Sequence, residues 1–249
     1  GAPLVSIVVP TRDRLDLLHA CLASLERSTH PHREVVIVDN GSIERETLAF
    51  LAACPHRVLR IDEPYNFSRL NGRAVREACT GAQLLFLNND TQVIAPDWIE
   101  ALLEHAQREG VGAAGAKLLY PDGRLQHAGL VYTRTRFRDA HVFLREIGMD
   151  PFTDCVRNFT AVTAACMMVP RRAFDAVGGF DERFAVAFND VDLCLRLRQA
   201  GYRIVYTPHA VLYHAEGSTR GRGRQPVADE RRLEERWLLT LDPDPYAGG

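Results

Sequence analysis

The feature that most constrains this chain is a threefold alternation running from its start to about Gly110. "LVSIVVP" (Leu4–Pro10), "EVVIVDNGS" (Glu34–Ser42) and "LLFLNNDTQVI" (Leu84–Ile94) are short apolar runs. Runs of this length, bounded by turn residues, read as buried strands. Stretches of helical spacing lie between them. In "RLDLLHACLASLERS", Leu18, Cys21, Leu22 and Leu25 share one face, and Asp13 is placed to cap the start. "RETLAFLAAC" and "SRLNGRAVREACTG" also read as helices, with a short strand "RVLRI" between them and Gly81 just past the second helix. Pro96-Asp97 opens another helix, in which Ile99, Leu102, Leu103 and Ala106 share a face and which Gly110 closes. Such alternation predicts an α/β fold with a mainly parallel sheet and right-handed crossovers.

The second half follows a different pattern. "VGAAGAKLLY" and "LQHAGLVY" flank Pro121-Asp122-Gly123, which signals a reversal. Residues 133–158 are charged and irregular and read as an insertion or mobile loop. "TAVTAACMMV" and "YRIVYT" are strand candidates. "RRAFDAVGGFDERF" is a short helix running into Gly178-Gly179, and "DVDLCLRLRQAG" a helix with Leu193, Leu197 and Ala200 on one face. "GSTRGRGRQP" is a Gly/Arg-rich loop, and "ADERRLEERWLLTL" a final amphipathic helix. The charge run Arg231–Arg236 reads as the solvated face of that helix.

Bulk properties narrow the class. A formal net charge of −2 gives no polyanion signal, so nucleic acid is not an expected partner. No run of about 18 apolar residues is present, so no transmembrane helix is expected. No charged-then-apolar leader opens the chain, which enters a strand by Leu4, so a domain cut from a longer protein is one expectation. The six cysteines, at 21, 54, 79, 155, 166 and 194, form no C-x-x-C pair. They read as free thiols, mostly buried, in a reducing compartment.

Three apolar segments stop at acidic or amide residues: Asp39-Asn40, Asn88-Asn89-Asp90, and Asn189-Asp190 before a helix. One such end is usually a turn or cap. Three in one α/β chain point to a shared crevice, because open sheets bind ligands at the carboxyl ends of their strands. Several chemistries lack their motifs. No G-x-G-x-x-G follows the first strand, and no Walker loop, G-x-S-x-G elbow or zinc-spaced His pair occurs. Hydride transfer, Walker-type ATP hydrolysis and serine hydrolysis are therefore disfavoured. A nucleotidyltransferase would need a glycine-rich basic loop after the first strand, and "PTRDRLD" has no glycine.

The segments "VSIVVPTRDR", "VVIVDNGS", "LLFLNNDT", "VGGFDERF" and "NDVDLCLRLRQAGYRIVY…H", in that order, resemble a family 2 glycosyltransferase of GT-A fold, in the bacterial branch that builds surface polysaccharides. The likeness covers about residues 4–220 and leaves the final helix outside. It implies a GT-A domain over 1–225, with a nucleotide-sugar half to about 110 and an acceptor half beyond, followed by a C-terminal helix and tail over 226–249. It also implies an inverting, metal-dependent sugar transfer from a UDP, dTDP or GDP donor to a glycan or lipid-linked acceptor. The setting implied is the cytoplasm, at the inner membrane face or within a larger multidomain protein.

The same resemblance assigns roles to residues. Asp39 matches the residue that contacts the nucleotide base; Pro10, Thr11 and Asn71 match positions along the nucleotide-sugar pocket. Asn88-Asn89-Asp90 matches the family's D-x-D motif, with a carboxylate only at its last position. Asn89 and Asp90 would then meet the sugar-diphosphate, and Asp90 with His214 would hold a divalent metal, Mn²⁺ or Mg²⁺. An oxygen ligand suits such ions. Asn189-Asp190 matches the E-D pair that supplies the catalytic base, so Asp190 is the candidate base and Asn189 faces the acceptor. Gly179 and Phe180 match the loop under the acceptor. Locally, Asp190 reads equally as a helix cap, His214 as a surface or hydrogen-bonded histidine, Thr11 as a turn or cap residue, Asn71 as an exposed helix polar, and Gly178-Gly179 as a helix stop. A catalytically silent sugar-binding domain is the rival reading, because Asn stands at 88, 89 and 189.

Overall fold

A computed structural model of the chain describes residues 2–132, 153–215, 227–238 and 244–246. The expected alternation is present. Strand β1 (Val5–Thr11), helix α1 (Leu15–Leu25), β2 (Arg33–Asp39), α2 (Arg45–Ala53), β3 (Arg57–Arg60), α3 (Phe67–Glu77) and β4 (Gln83–Leu87) follow one another. β2, β1 and β4 lie side by side and parallel, and β3 extends them at the β2 edge. β4 is buried along its whole length, as a strand covered on both faces must be.

The rest of the chain adds β5 (Thr91–Val93), α4 (Trp98–Ala106), β6 (Val111–Leu119), β7 (Leu125–His127), β8 (Arg157–Phe159), β9 (Cys166–Pro170), α5 (Arg171–Ala176), α6 (Asn189–Gln199), β10 (Arg203–His214) and α7 (Val227–Trp237). All strands join one mixed sheet in the order β3-β2-β1-β4-β9-β6-β10-β5, with β7 beside β6 and β8 beside β10. β6 and β10 are parallel, and β9 runs antiparallel to both β4 and β6. Two apolar layers cover the faces of this sheet. One centres on Val8, Phe86, Phe174, Phe180 and Tyr206, the other on Ile7, Leu18, Ile37, Leu85 and Trp98.

Several expectations need correction. Only Cys166–Pro170 of "TAVTAACMMV" is strand; the preceding residues form the loop into it. Asp13 does not cap α1. It and Arg14 have φ of 52° and 50°, a left-handed pair that turns the Asp13 carboxylate across to α2. There Asp13 Oδ1 accepts from the amides of Ile43 and Glu44, at 2.8 and 2.9 Å. Gly81 belongs to the approach to β4. A side chain there would strike the Leu4 carbonyl at 2.6 Å, so glycine permits the close packing of β4 on β1. Within the expected 133–158 insertion, Arg157–Phe159 is strand β8, and 133–152 lies outside the described residues, as does the loop 217–226. Cys21, Cys166 and Cys194 are buried free thiols, whereas Cys155 is exposed. Burial pushes the Cys21 and Cys194 thiols up to about 12, which leaves them unreactive.

The charge run in α7 is not merely a solvated face. Leu233 and Trp237 pack with Tyr132, Phe184 and Leu195 in a third apolar cluster. Arg236 turns inward to pair with Asp181 and Asp192.

Candidate functional site

The carboxyl ends of β1, β2 and β4 lie together, because the parallel register sets Thr11 opposite Asp39. Asp39 is buried. Its Oδ1 accepts from the Ser42 amide at 2.9 Å, and its Oδ2 from Arg60 Nη1 at 2.6 Å. Thr11 Oγ1 accepts from Asn89 Nδ2 at 3.0 Å, so the turn after β4 is tied directly to the end of β1. Pro10 is half-buried beside them. Asn40 donates its side-chain amide to the carbonyls of Ile61 and Glu63, and its Oδ1 is buried with no partner.

The turn Asn88–Asp90 carries the next part of the site. Asp90 Oδ1 lies 3.2 Å from His214 Nε2 at the end of β10. Asn88 Nδ2 lies 3.3 Å from the same ring nitrogen. Asp90 and His214 are almost buried, with 8% and 10% of their side-chain surface exposed, so both are presented to a confined space. Gln126, on β7, fixes the ring. Its Nε2 donates to the His214 carbonyl at 3.2 Å, which leaves Gln126 Oε1 to face His214 Nδ1 at 2.6 Å. With Nδ1 as the donor to Gln126, Nε2 is left to accept from Asn88 Nδ2, beside Asp90 Oδ1. Sequence reasoning passed over Gln126; its place beside His127 in a short strand after a turn offered no distinguishing signal.

Asp190 joins this cluster through a loop. The Asn88 amide donates to the Ala165 carbonyl at 3.1 Å, and the Ala164 amide donates to Asp190 Oδ2 at 3.0 Å. The Thr163 amide approaches His127 Nε2 at 3.4 Å. Thr163–Ala165 thus sits between the Asn88–Asp90 turn and the start of α6. Asp190 is not the N-cap of α6. That position is Phe188, at φ 59°, and it makes no side-chain cap bond. Asp190 stands in the first turn, with Oδ1 accepting from the Val191 amide at 2.8 Å, and Asn189 Oδ1 accepts from the Asp190 amide at 2.9 Å.

Other candidates occupy different surroundings. Asn71 is fully buried in α3, donates to the Phe67 carbonyl at 2.8 Å and keeps Oδ1 without a partner. Phe180 packs in the core against Phe67, Phe86 and Phe174, with ring centroids 4.8–5.6 Å apart. Its ring is a packing group rather than a surface for a ligand. Gly178 and Gly179 take positive φ, and a side chain on Gly179 would enter the Phe174 ring at 2.7 Å. A groove of about 390 Å³ beside α1 and α2, lined by His19, Leu22, Phe50 and His56, contains none of these residues.

The donor set fits a hard divalent ion in a particular way. Asp90 and His214 offer one oxygen and one imidazole nitrogen toward a common point, with the imidazole tautomer already fixed. No three His, Cys, Asp or Glu side chains converge on a metal position among the described residues. A cation held by these two side chains would keep further coordination positions for phosphate oxygens and water, as is usual for such ions.

Comparisons with known proteins give the family and the fold. The chain is 43% identical to the O-antigen biosynthesis protein RfbC of Myxococcus xanthus over 99% of its own length, which is 20% of that protein. It is 30% identical to the N-acetylglucosaminyl-diphospho-decaprenol L-rhamnosyltransferase of Mycobacterium tuberculosis, over 85% of this chain and 75% of that protein. The chain spans between a fifth and a third of the two relatives to which it is 43% and 45% identical. Its fold superposes on the mannosyltransferase PcManGT of Pyrobaculum calidifontis, solved with GDP-Man and Mn²⁺, with a TM-score of 0.64 at 17% identity, over 97% of this chain and 71% of that one. The fold is thus GT-A, as expected. Residues 2–240, α7 included, match the Glycosyltransferase like family 2, and the chain belongs to that family.

Proposed function

We propose that this domain transfers a sugar, with inversion, from a nucleoside-diphosphate sugar to a hydroxyl of a glycan or lipid-linked acceptor in bacterial surface polysaccharide synthesis. The observation that carries the reading is the linkage of the Asp90–His214 pair to Asp190 through Thr163–Ala165. On this reading it joins a diphosphate side, at Asp90 and His214, to an acceptor side, at Asp190. The rhamnosyltransferase and O-antigen relatives support the reaction class, and the nucleotide sugar and Mn²⁺ in the mannosyltransferase structure support the donor class.

On this reading Asp39 and Thr11 line the nucleotide side. Asp39 accepts from a base or ribose donor, exchanging its exposed partner Arg60 for the ligand. Asp90 and His214 hold a divalent cation, Mn²⁺ or Mg²⁺, which when bound offsets the charge on the leaving diphosphate. Asp190 takes the proton from the acceptor hydroxyl while that oxygen attacks the face of the sugar opposite the diphosphate. Its amide partner on Ala164 keeps the carboxylate oriented in the crevice until the acceptor arrives. Asn88 and Asn89 bring no charge of their own, so the cation's protein ligation depends on Asp90 and His214. No helix among the described residues is long and apolar enough to cross a membrane, so a lipid-linked acceptor would be reached from the membrane surface.

The deciding experiment screens UDP, GDP, dTDP and CMP by thermal shift with and without Mn²⁺, then assays turnover of the matching NDP-sugars. A ligand at 100 times its Kd adds about 2.7 kcal/mol of stability, which is readily seen. Metal-dependent binding with turnover supports the reading. Binding with no turnover in the presence of glycan acceptors would favour a silent sugar-binding domain. No nucleotide binding would overturn both.

A further inference from the structure

We propose that α7 is a working part of the acceptor side, and that Asp229 is a positioning residue which sets the backbone leading into Asp190. The inference rests on the reading of Asp190 as the base. The Asp229 carboxylate is buried, and its Oδ2 accepts from two successive amides, Val186 at 3.0 Å and Ala187 at 3.1 Å. Oδ1 pairs with Arg232 Nη1 at 3.2 Å, and the same guanidinium nitrogen donates to the Arg183 carbonyl. One turn further on, Trp237 Nε1 donates to Asp192 Oδ1 at 3.0 Å. Arg236 reaches Asp181 at 2.9 Å and Asp192 at 3.1 Å. α7 therefore holds both the loop before α6 and the first turn of α6 itself.

The opposite side of the same loop is held by α3. The Phe67 amide donates to the Ala185 carbonyl at 2.7 Å, and Ser68 Oγ to the Phe184 carbonyl at 2.6 Å. Residues 184 and 185 are thus fixed from α3, and 186 and 187 from α7. Phe188 follows in the left-handed region at φ 59°, a conformation costly for an aromatic residue. Such a backbone persists only where its surroundings over-determine it. Asn189 and Asp190 come next. α7 buries Leu233 and Trp237, as a helix that only added stability would. It also buries a carboxylate, at a desolvation cost, and directs it at two backbone amides, which specifies geometry more than it adds stability.

The test uses the full chain with Asp229→Ala and Asp229→Asn. Hydrogen exchange at the amides of Val186 and Ala187 should accelerate about tenfold or more in Asp229→Ala, with the amides of β1, β2 and β4 unchanged. Affinity for UDP or GDP with Mn²⁺ should stay within about twofold. In turnover of the NDP-sugar identified by screening, kcat for transfer should fall about 10–100-fold with donor KM little changed, and Asp229→Asn, which keeps an accepting oxygen, should recover part of it. Unaltered exchange at 186 and 187, or a loss of nucleotide affinity equal to the loss of kcat, would overturn the proposal. Should Asp229→Ala not fold, Asp229→Asn, which keeps the side chain's size and weakens the same two hydrogen bonds, is read by the same criteria. Asp190→Asn is measured beside them. A slow Asp229→Ala with a normal Asp190→Asn would remove the base assignment and leave α7's role standing. A dead Asp190→Asn with a normal Asp229→Ala would do the reverse.

Discussion

Gln126 holds His214 by both ends: its amide nitrogen donates to the His214 carbonyl, and its oxygen, 2.6 Å from Nδ1, accepts from the ring N–H. This clamp decides which nitrogen is left for a cation. Gln126→Leu should therefore weaken Mn²⁺ binding about 10–100-fold, measured by titration in the presence of UDP or GDP. In the metal-free protein, nitrogen chemical shifts should show His214 changing from the Nδ1–H form to a mixture of tautomers. A variant with unchanged tautomer and unchanged affinity would show that the clamp is incidental.

Asp90→Asn keeps the size of the side chain and removes its charge. The Mn²⁺-dependent part of the nucleotide thermal shift should disappear, because Asn88 and Asn89 cannot replace the carboxylate. His214→Ala should lower the same metal affinity about tenfold or more. Persistence of a full metal-dependent shift in both variants would place the ion elsewhere.

Asp39→Asn retains an oxygen for the Ser42 amide but gives up the charged partner of Arg60. Nucleotide affinity should fall about tenfold or more, equivalent to about 1.4 kcal/mol, with little change in Tm. Calorimetry with the nucleotide found by screening checks this. A folded Asp39→Asn protein with wild-type affinity would show that the nucleotide is read by other groups.

How much of this was legible beforehand depended on whether a signal was local. Asp39, Asn88–Asp90 and Asn189-Asp190 stood out because polar residues interrupt apolar runs, a contrast visible in a few residues. Gln126 and the Ala164 amide did not, since their parts depend on partners far along the chain. Asp13 misled because a carboxylate before a helix usually caps it, and the left-handed pair at Asp13-Arg14 redirects it. Phe180 was matched only to the loop under the acceptor, and no local signal showed that its ring fills a space between Phe86 and Phe174. The inward face of α7 was hidden by its own composition. Arg232 and Arg236 look solvated until their carboxylate partners on other elements are known.

Asp190→Asn should reduce kcat about 10²–10⁴-fold, the usual contribution of a general base, and leave nucleotide binding intact. The Asn side chain can still accept from the Ala164 amide, so the loop should stay in place. Near-normal turnover would reduce Asp190 to a structural tie between α6 and the Thr163–Ala165 loop.

The ion pairs of Asp181 predict a response to acid. Hydrogen bonding from Arg183, aided by its backbone amide and by Arg236, holds the Asp181 carboxyl down to about 2 against the opposing effect of burial. Its folded value is below the unfolded one of about 3.9, so the pairing stabilises the fold above about pH 4. That contribution is lost as pH falls through about 2. Arg183 is largely exposed, so Arg183→Ala should cost only about 0.2–1 kcal/mol at pH 7. Urea unfolding should show this difference shrinking between pH 4 and 2. A difference that stays constant across that range would mean the pair is not what lowers the carboxyl.

β9 arrives late in the chain yet lies between β4 and β6, antiparallel to each. Arg171, just after it, donates to the carbonyls of Gly81 and Cys79 on the approach to β4. The sheet that carries the proposed nucleotide side is thus completed by residues 166–171, far beyond β4 in the chain. A crossover near residue 110 would separate β4 from the strand that covers its second edge, and leave the buried β4 paired with β1 alone. If the proposed nucleotide side sets donor preference, that preference cannot be exchanged as a cassette. It has to change residue by residue, within a sheet that is inherited whole.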